Sequence, residues 1–320
     1  MWIVPESVIA DLVDEHSAFD AIEATFAVMS RQDAYNFPVV REALGEGRQY
    51  GFKSGLDRVG HVLGVKAGGY FPGNADRGIP NHQSTVYLFD PDSGKPTAMV
   101  GGNLLTALRT AAASAISIAH LSRKDAKVLG MVGAGHQSAF QMRAAVRQRQ
   151  FDRVIGWNLH PDMLSRLAET AAELGLPFEA VNLDQLGAQA DVIITITSSF
   201  DPILKDSHIR PGTHLACMGT DTKGKQEVDA AILARATVFT DEVAQSISIG
   251  EAQHACGAGI LSADAIIEIG AVINGTHPGR ASAEEITLFD GTGVGLQDLA
   301  VASRAVELAV ARGLAQEVAF

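Results

Sequence analysis

The sequence predicts a two-domain α/β protein in which a doubly wound parallel sheet is inserted into an α+β domain. From about Gln49 to Gly102, short apolar runs are separated by turn-rich segments such as 90–96, which is typical of an antiparallel sheet. From Ala126, apolar strands alternate with helical segments, which is typical of a parallel sheet. We therefore expect one domain over 1–118, joined by a C-terminal helix within 295–320, and an inserted domain over 119–294.

The first domain opens with an amphipathic helix over Ser17–Gln32, where apolar residues recur at spacings of three and four and Ser17 is the expected N-cap. The short apolar runs that follow predict strands, and an Ala-rich segment predicts a long helix. The strands are His61–Val65, Ser84–Phe89 and Thr97–Val100, and the helix is Leu104–His120.

The inserted domain is predicted from five apolar strands and the helices between them. The strands are Val128–Val132, Arg153–Trp157, Val192–Ile196, His214–Met218 and Thr237–Thr240, and the helices are Gln137–Arg149, Pro161–Leu174 and Ala230–Arg235. A last helix, Gly295–Arg312, is apolar on one face and lies beyond this unit.

Composition indicates a globular chain. It has 320 residues, 47% apolar and 19% charged, which is enough to bury a core, and a net charge of −12 argues against nucleic-acid or anionic-membrane partners. Only Cys217 and Cys256 are present, and with His214 and His254 they do not form a ligand cluster, so no metal is expected. No signal peptide or membrane span is recognisable, so a cytoplasmic location is expected.

A glycine-rich turn follows the first predicted strand of the inserted domain. Gly133 and Gly135 lead through His136, Gln137 and a small residue, Ser138, into a helix. In a Rossmann-type fold such a turn brings the backbone and the helix N-terminus to a dinucleotide pyrophosphate. The next strand ends at Asn158, with no Arg directly after it, which favours NAD(H) over NADP(H).

Two basic side chains stand out in apolar surroundings. Lys66 interrupts an apolar strand, and Arg109 lies among small residues of the Ala-rich helix. A buried lysine can transfer protons, and a fixed guanidinium can hold a carboxylate. From the residues alone, each is also compatible with a purely structural role.

Four segments together resemble the ornithine cyclodeaminase/μ-crystallin family. They are 64–66, 108–112, 133–137 and 219–227, in the order and spacing typical of that family. The resemblance implies a homodimer with a dimerisation and substrate domain, an NAD(P)-binding Rossmann domain and a small imino- or amino-acid substrate. It also leaves open a non-catalytic NAD(P)- or ligand-binding protein.

The resemblance also implies roles for individual residues. Lys66 would bind substrate and transfer a proton, Arg109 would hold the α-carboxylate beside the nicotinamide, and Asp221 would face the substrate nitrogen. The implied cofactor contacts are Arg109, Gly133, Gly135, His136, Gln137, Asn158, Ser198, Met218, Gly219, Thr220, Asp221, Lys223 and Gly291.

Substrate choice depends on Lys53, which occupies the position where an ornithine cyclodeaminase needs an acidic group. A cation there would repel ornithine and favour a second carboxylate, with Arg41 as a further contact. Reduction of iminosuccinate to L-aspartate is therefore the expected reaction. An alanine-type dehydrogenase or another ketimine reductase is the first alternative, then ornithine cyclisation; Lys53 as a surface residue of an edge strand stays open. Asp241-Glu242 is interpreted as a solvated helix start.

Overall fold

The computed structural model describes all 320 residues and divides into two compact units. Unit 1 comprises Met1–Arg109 and Val294–Phe320, and unit 2 comprises Thr110–Gly293. The first division falls inside a continuous helix, earlier than the expected boundary after residue 118. No linker composition marks a division of this kind, so the sequence pattern cannot locate it.

The chain up to residue 121 forms seven strands and three helices. They are β1 (Trp2–Val4), α1 (Ile9–Leu12), α2 (Glu15–Ser30), β2 (Ala34–Asn36), β3 (Val40–Gly45), β4 (Arg48–Asp57), β5 (Val62–Tyr70), β6 (His82–Phe89), β7 (Pro96–Gly101) and α3 (Asn103–Leu121).

The remaining chain alternates strands and helices before it ends in a long helix and a short strand. The elements are β8 (Val128–Val132), α4 (His136–Val146), β9 (Arg153–Trp157), α5 (Leu164–Glu173), β10 (Phe178–Ala180), α6 (Leu183–Gln189), β11 (Val192–Thr195), β12 (His214–Cys217), α7 (Ala230–Arg235), β13 (Thr237–Thr240), α8 (Val243–Ile249), α9 (Ala252–Gly257), β14 (Ile267–Glu268), α10 (Ile269–Ile273), β15 (Thr287–Asp290), α11 (Gly295–Ala311) and β16 (Gln316–Glu317).

Unit 1 is built on an eight-stranded sheet with the order β16-β1-β7-β6-β5-β4-β2, in which β3 also pairs with β4. Neighbours from β4 to β7 are antiparallel, which confirms the predicted pattern. Helix α11 packs closely on β4 and β5, because the sheet carries glycine beneath it. A methyl group at Gly55 would lie 3.0 Å from Leu296 Cγ, and one at Gly64 would lie 2.8 Å from Leu299 Cδ2.

Helix α2 begins two residues before the predicted start, and its N-cap is Asp14 rather than Ser17. The Asp14 carboxylate accepts the Ser17 N–H at 2.8 Å, and the Ser17 hydroxyl accepts the Asp14 N–H at 3.1 Å. This reciprocal capping box satisfies two backbone donors, whereas a cap at Ser17 would satisfy one.

Unit 2 contains a parallel eight-stranded sheet with the order β10-β9-β8-β11-β12-β15-β13-β14. This arrangement confirms the predicted doubly wound, Rossmann-type sheet, and β8, β9 and β13 have the predicted bounds. Strand β15 was not predicted, although it lies between β12 and β13 in the sheet.

Helix α3 is long and apolar enough to cross a membrane by composition alone, but 83% of its most apolar window is buried in the protein. A buried core helix satisfies the same criterion. Packing inside the protein therefore explains why α3 is apolar.

Candidate active site

Lys66 is buried in unit 1 and is held by two hydrogen bonds. Its ammonium donates to Asp298 Oδ1 at 3.0 Å and to Thr106 Oγ1 at 2.6 Å. Strand β5 supplies the lysine and α11 supplies the aspartate, so the close packing of that helix on the sheet creates the contact. The arrangement fixes a charged amine against a buried carboxylate and a hydroxyl.

Arg109 joins the same group from α3. Its Nε donates to Asp298 Oδ1 at 3.1 Å, and its Nη1 donates to Gln297 Oε1 at 3.1 Å. Asp298 therefore bridges Lys66 and Arg109 through one oxygen, while its second oxygen, Oδ2, is buried without a hydrogen-bond partner. An acceptor with a free lone pair beside two cations is suited to bind a polar ligand.

The electrostatics of this group follow from burial and from the surrounding charges. Burial lowers the pKa of Lys66 to about 8. Repulsion from Arg109 and Arg41 lowers this pKa as well, whereas the charge of Asp298 raises it. Burial alone would raise the pKa of Asp298, but Arg109, Lys66 and Lys53 lower it below its ordinary value. Lys66 can thus exchange a proton near neutral pH beside a permanently ionised carboxylate.

Lys53 lies directly opposite Lys66 in the β4–β5 pairing and is only 7% exposed. Strand β4 is an interior strand, which removes the interpretation of Lys53 as a surface residue of an edge strand. Arg41 lies on β3, paired with Gly51 of β4. Like charges directly opposite one another on a sheet repel. The Asp298 carboxylate interacts favourably with both lysines and partly offsets this repulsion.

The glycine turn in unit 2 has the backbone geometry that a dinucleotide site needs. Gly133 has φ +110°, and a methyl group there would lie 2.6 Å from the Ile196 carbonyl oxygen. Gly135 caps α4 with no side-chain hydrogen bond, and a methyl group there would meet nothing within 4 Å. No neighbouring side chain therefore covers Gly135 at the helix N-terminus, whose first backbone N–H groups have no partner within the helix.

Three side chains beside this turn have defined surroundings. Asn158 accepts the Ala134 N–H at 3.0 Å and donates to the His160 carbonyl at 2.8 Å, so it braces the turn from the end of β9. Gln137 leaves Oε1 buried without a hydrogen-bond partner. The exposed His136 packs against Phe140 with 5.5 Å between ring centroids. Asn158 therefore holds the backbone of the turn in place.

The predicted residues after β11 and β12 differ in exposure. Ser198 and Lys223 are exposed, whereas Met218, Gly219 and Thr220 are buried. Asp221 accepts a hydrogen bond from the Lys225 ammonium at 2.9 Å, an ion pair that the sequence did not suggest.

Asp241 is buried, and its interpretation as a solvated helix start is wrong. Its carboxylate accepts the N–H groups of Thr292 at 3.2 Å and Gly293 at 2.8 Å, which holds the segment after β15. The predicted contact Gly291 lies in that segment, where a methyl group would lie 2.6 Å from Met218 Sδ. Asp241 is thus a structural anchor for the turn that contains Gly291.

Asp298, Gln297 and Thr106 were missed by the sequence analysis, although they contact Lys66 or Arg109. The available signal was a polar pair, Gln297-Asp298, within the apolar start of α11, where both residues are buried. Buried carboxylates are rarely left without partners, so such a pair predicts a cationic neighbour. No cluster of His, Cys, Asp or Glu has the arrangement of a metal site.

Residues 11–312 match the model of the ornithine cyclodeaminase/mu-crystallin family. The chain belongs to this family. It is 66% identical to the iminosuccinate reductase of Paracoccus denitrificans over 99% of both chains. Family membership covers both units and includes all four motif segments.

Solved structures of family members have the same fold. The crystal structure of the Paracoccus denitrificans iminosuccinate reductase in complex with NAD+ has a TM-score of 0.96 and 65% identity, covering 100% of this chain and 99% of that chain. An archaeal alanine dehydrogenase dimer with bound NAD has a TM-score of 0.94 and 29% identity, covering 100% and 99%.

Proposed function

We propose that this member of the family is an NAD(H)-dependent reductase that converts iminosuccinate to L-aspartate. The observation that carries the proposal is the placement of Lys53 opposite Lys66 on a buried face, in a chain 66% identical to an iminosuccinate reductase. Two carboxylates on one small substrate match a face that carries several cations and one anion.

The cations of unit 1 anchor the substrate. Arg109, oriented by Asp298 and Gln297, binds the α-carboxylate, and its two hydrogen bonds fix the plane of the guanidinium. Lys53 and Arg41 bind the second carboxylate. Holding both ends fixes the imine carbon and removes much of the entropy cost of the reaction.

Proton control is assigned to Lys66 and Asp221. Lys66, held by Asp298 and Thr106, supplies or removes a proton with a pKa of about 8. Asp221, which pairs with Lys225, stabilises the protonated imino nitrogen through its negative charge. Bound NADH supplies the hydride for the imine carbon.

Unit 2 binds the cofactor in this proposal. Gly133, Gly135, His136 and Gln137 receive the pyrophosphate at the start of α4, and Asn158 lies at the adenosine ribose with no adjacent arginine to favour a 2′-phosphate. Ser198, Met218 to Asp221, Lys223 and Gly291 contact the nicotinamide half, together with Arg109. We further propose that unit 1 carries the dimer contacts of a cytoplasmic homodimer; the related archaeal enzyme is a dimer.

The test follows NADH oxidation by purified protein with oxaloacetate plus ammonia, and in parallel with pyruvate plus ammonia. Iminosuccinate forms in the first mixture, and the product is identified as aspartate by chromatography to exclude contaminating malate dehydrogenase. Aspartate without alanine supports the proposal. Alanine alone would replace it with an alanine-type dehydrogenase, and NADH binding without turnover would indicate a ligand-binding protein.

A further inference from the structure

Glu227 is a fully buried carboxylate in unit 2 that joins the ends of two neighbouring strands. Its Oε1 accepts the Thr197 N–H, just beyond β11, at 2.6 Å. Its Oε2 accepts the Gly219 N–H, just beyond β12, at 2.8 Å and the Thr195 hydroxyl at 2.7 Å. One side chain therefore fixes the backbone at both strand ends.

A second buried carboxylate, Glu251, supports the first. Its Oε1 accepts the N–H groups of Glu227 at 2.9 Å and Val228 at 2.8 Å. Its Oε2 lies 2.5 Å from Thr220 Oγ1 and has only a longer contact, 3.2 Å, with the Glu227 N–H. Glu251 thereby holds both the backbone of Glu227 and the side chain after Gly219.

The two carboxylates have different hydrogen-bonding requirements. Both oxygens of Glu227 accept a backbone N–H, and Oε2 also accepts the Thr195 hydroxyl. Burial raises the pKa of Glu227, whereas the hydrogen bonds from Thr195, Thr197 and Gly219 stabilise its ionised form. Oε2 of Glu251 faces a hydroxyl, which can donate or accept, so this oxygen tolerates a proton. Burial and the charge of Glu227 raise the pKa of Glu251 to about 8, which agrees with a neutral acid at this position.

We propose that Glu227 is a positioning residue for the cofactor: its carboxylate holds the backbone of 197–198 and 218–221 in the conformation that receives the nicotinamide half of NAD(H). This inference rests on the proposed function, which assigns Ser198 and Met218 to Asp221 to cofactor contacts. Glu251 serves as its neutral support. Preorganised loops bind more tightly because ordering them costs nothing on binding.

The chain offers a matched pair of variants, Glu227→Gln and Glu251→Gln. In Glu227→Gln the new amino group must face a backbone N–H, and one buried donor loses its acceptor. In Glu251→Gln the amino group can donate to Thr220 Oγ1 while the amide oxygen keeps both backbone donors. Titration of NADH fluorescence should show a dissociation constant raised about tenfold or more in Glu227→Gln, and close to that of the wild type in Glu251→Gln.

Two further measurements separate positioning from a general loss of structure. In Glu227→Gln, hydrogen exchange should quicken selectively at the amides of Thr197 and Gly219, and the loss of NADH affinity should persist at temperatures where a thermal melt shows the variant to be folded. A merely structural role would lower Tm and the active fraction without changing the NADH affinity of folded molecules. If Glu227→Gln does not fold, Thr195→Val removes one donor and should raise the dissociation constant about threefold.

Equal NADH affinity in Glu227→Gln and wild type would overturn the inference, as would an equal loss in both glutamine variants. When Thr195→Val is the variant measured, unchanged NADH affinity overturns it. If the wild-type protein itself fails to bind NADH, the proposed function falls first, and the inference falls with it.

Discussion

The Lys66 ammonium lies 3.0 Å from Asp298 Oδ1, although 232 residues separate them in the chain. The same oxygen accepts from Arg109 Nε, so one carboxylate holds the proposed proton donor and the proposed carboxylate anchor in a fixed relation. Asp298 is therefore central to the organisation of unit 1.

Asp298→Asn should move the basic limb of the pH–rate profile to lower pH. The Asp298 charge stabilises the Lys66 ammonium, whereas burial, Arg109 and Arg41 destabilise it, so removing the charge lowers the pKa of Lys66 below about 8. Because imine reduction uses the protonated lysine, kcat/KM will fall at lower pH than in the wild type. Steady-state rates from pH 6 to 10 measure this shift.

Glu307→Gln is the control for this shift, since it removes one negative charge from an exposed position on the same helix. Its basic limb should coincide with that of the wild type. An Asp298→Asn profile with an unmoved basic limb would show that Asp298 does not set the protonation of Lys66.

Lys53→Met should reduce aspartate oxidation selectively. The methionine keeps the apolar stem and removes the charge proposed to bind the second carboxylate, so kcat/KM for aspartate should fall about 10- to 100-fold. The dissociation constant of NADH, which the proposal places on unit 2, should change little. Lys95→Met, at an exposed turn, serves as the control and should keep the wild-type kcat/KM for aspartate. An unchanged kcat/KM in Lys53→Met, or an equal loss in Lys95→Met, would argue against this role for Lys53.

Alanine substitutions at the two glycines of the dinucleotide turn should distinguish an effect on stability from an effect on cofactor binding. At Gly135, alanine meets no neighbouring atom and φ is −76°, so the free energy of unfolding should change by about 1 kcal/mol or less. The added methyl group fills the proposed pyrophosphate space and should weaken NADH binding.

Gly133→Ala is the comparison, because φ +110° and the Ile196 carbonyl make alanine strained there. This variant should lose thermal stability as well as cofactor affinity. Unchanged NADH affinity in Gly135→Ala would remove α4 from the proposed cofactor site.

His214 should make unit 2 sensitive to acid. It is fully buried between Ser117 Oγ and Thr287 Oγ1, and burial lowers its pKa well below 6.5. As the pH falls below 6.5, the unfolded chain binds a proton at His214 that the folded chain excludes. The free energy of unfolding therefore falls by about 1.4 kcal/mol for each unit by which the pH is lowered. The free energy of unfolding, measured with denaturant between pH 7 and 5, should depend less steeply on pH in His214→Gln than in the wild type.

The exposed His16 provides a matched substitution, His16→Gln, which should leave the slope close to that of the wild type. Parallel pH dependence in His214→Gln and wild type would mean that His214 does not cause acid sensitivity.

The sequence predicted those parts of the structure that local pattern determines. Buried parallel strands such as Val128–Val132 are continuous apolar runs, and the turn at Gly133 needs a residue without a side chain. Both features can therefore be predicted from the sequence. Lys66 and Arg109 were found because basic residues in apolar surroundings are uncommon.

The remaining features depend on contacts that are distant in sequence. Asp298 reaches Lys66 only because α11 packs over Gly55 and Gly64, and no local pattern encodes that approach. Asp241 looks like a solvated helix start until β15 brings the turn at Thr292 to it. The N-cap prediction was wrong for a simpler reason. Asp14 and Ser17 are both able to cap the helix, and the reciprocal capping box with Asp14 as N-cap forms.

The central claim is hydride transfer to the imine carbon of a dicarboxylic substrate, and isotope transfer tests it most directly. The protein is incubated with oxaloacetate, ammonia and NADH carrying deuterium at both C4 positions of the nicotinamide, and the products are analysed by mass spectrometry and NMR. We expect L-aspartate with one deuterium on Cα. Unlabelled aspartate, or deuterium found only in malate, would contradict it.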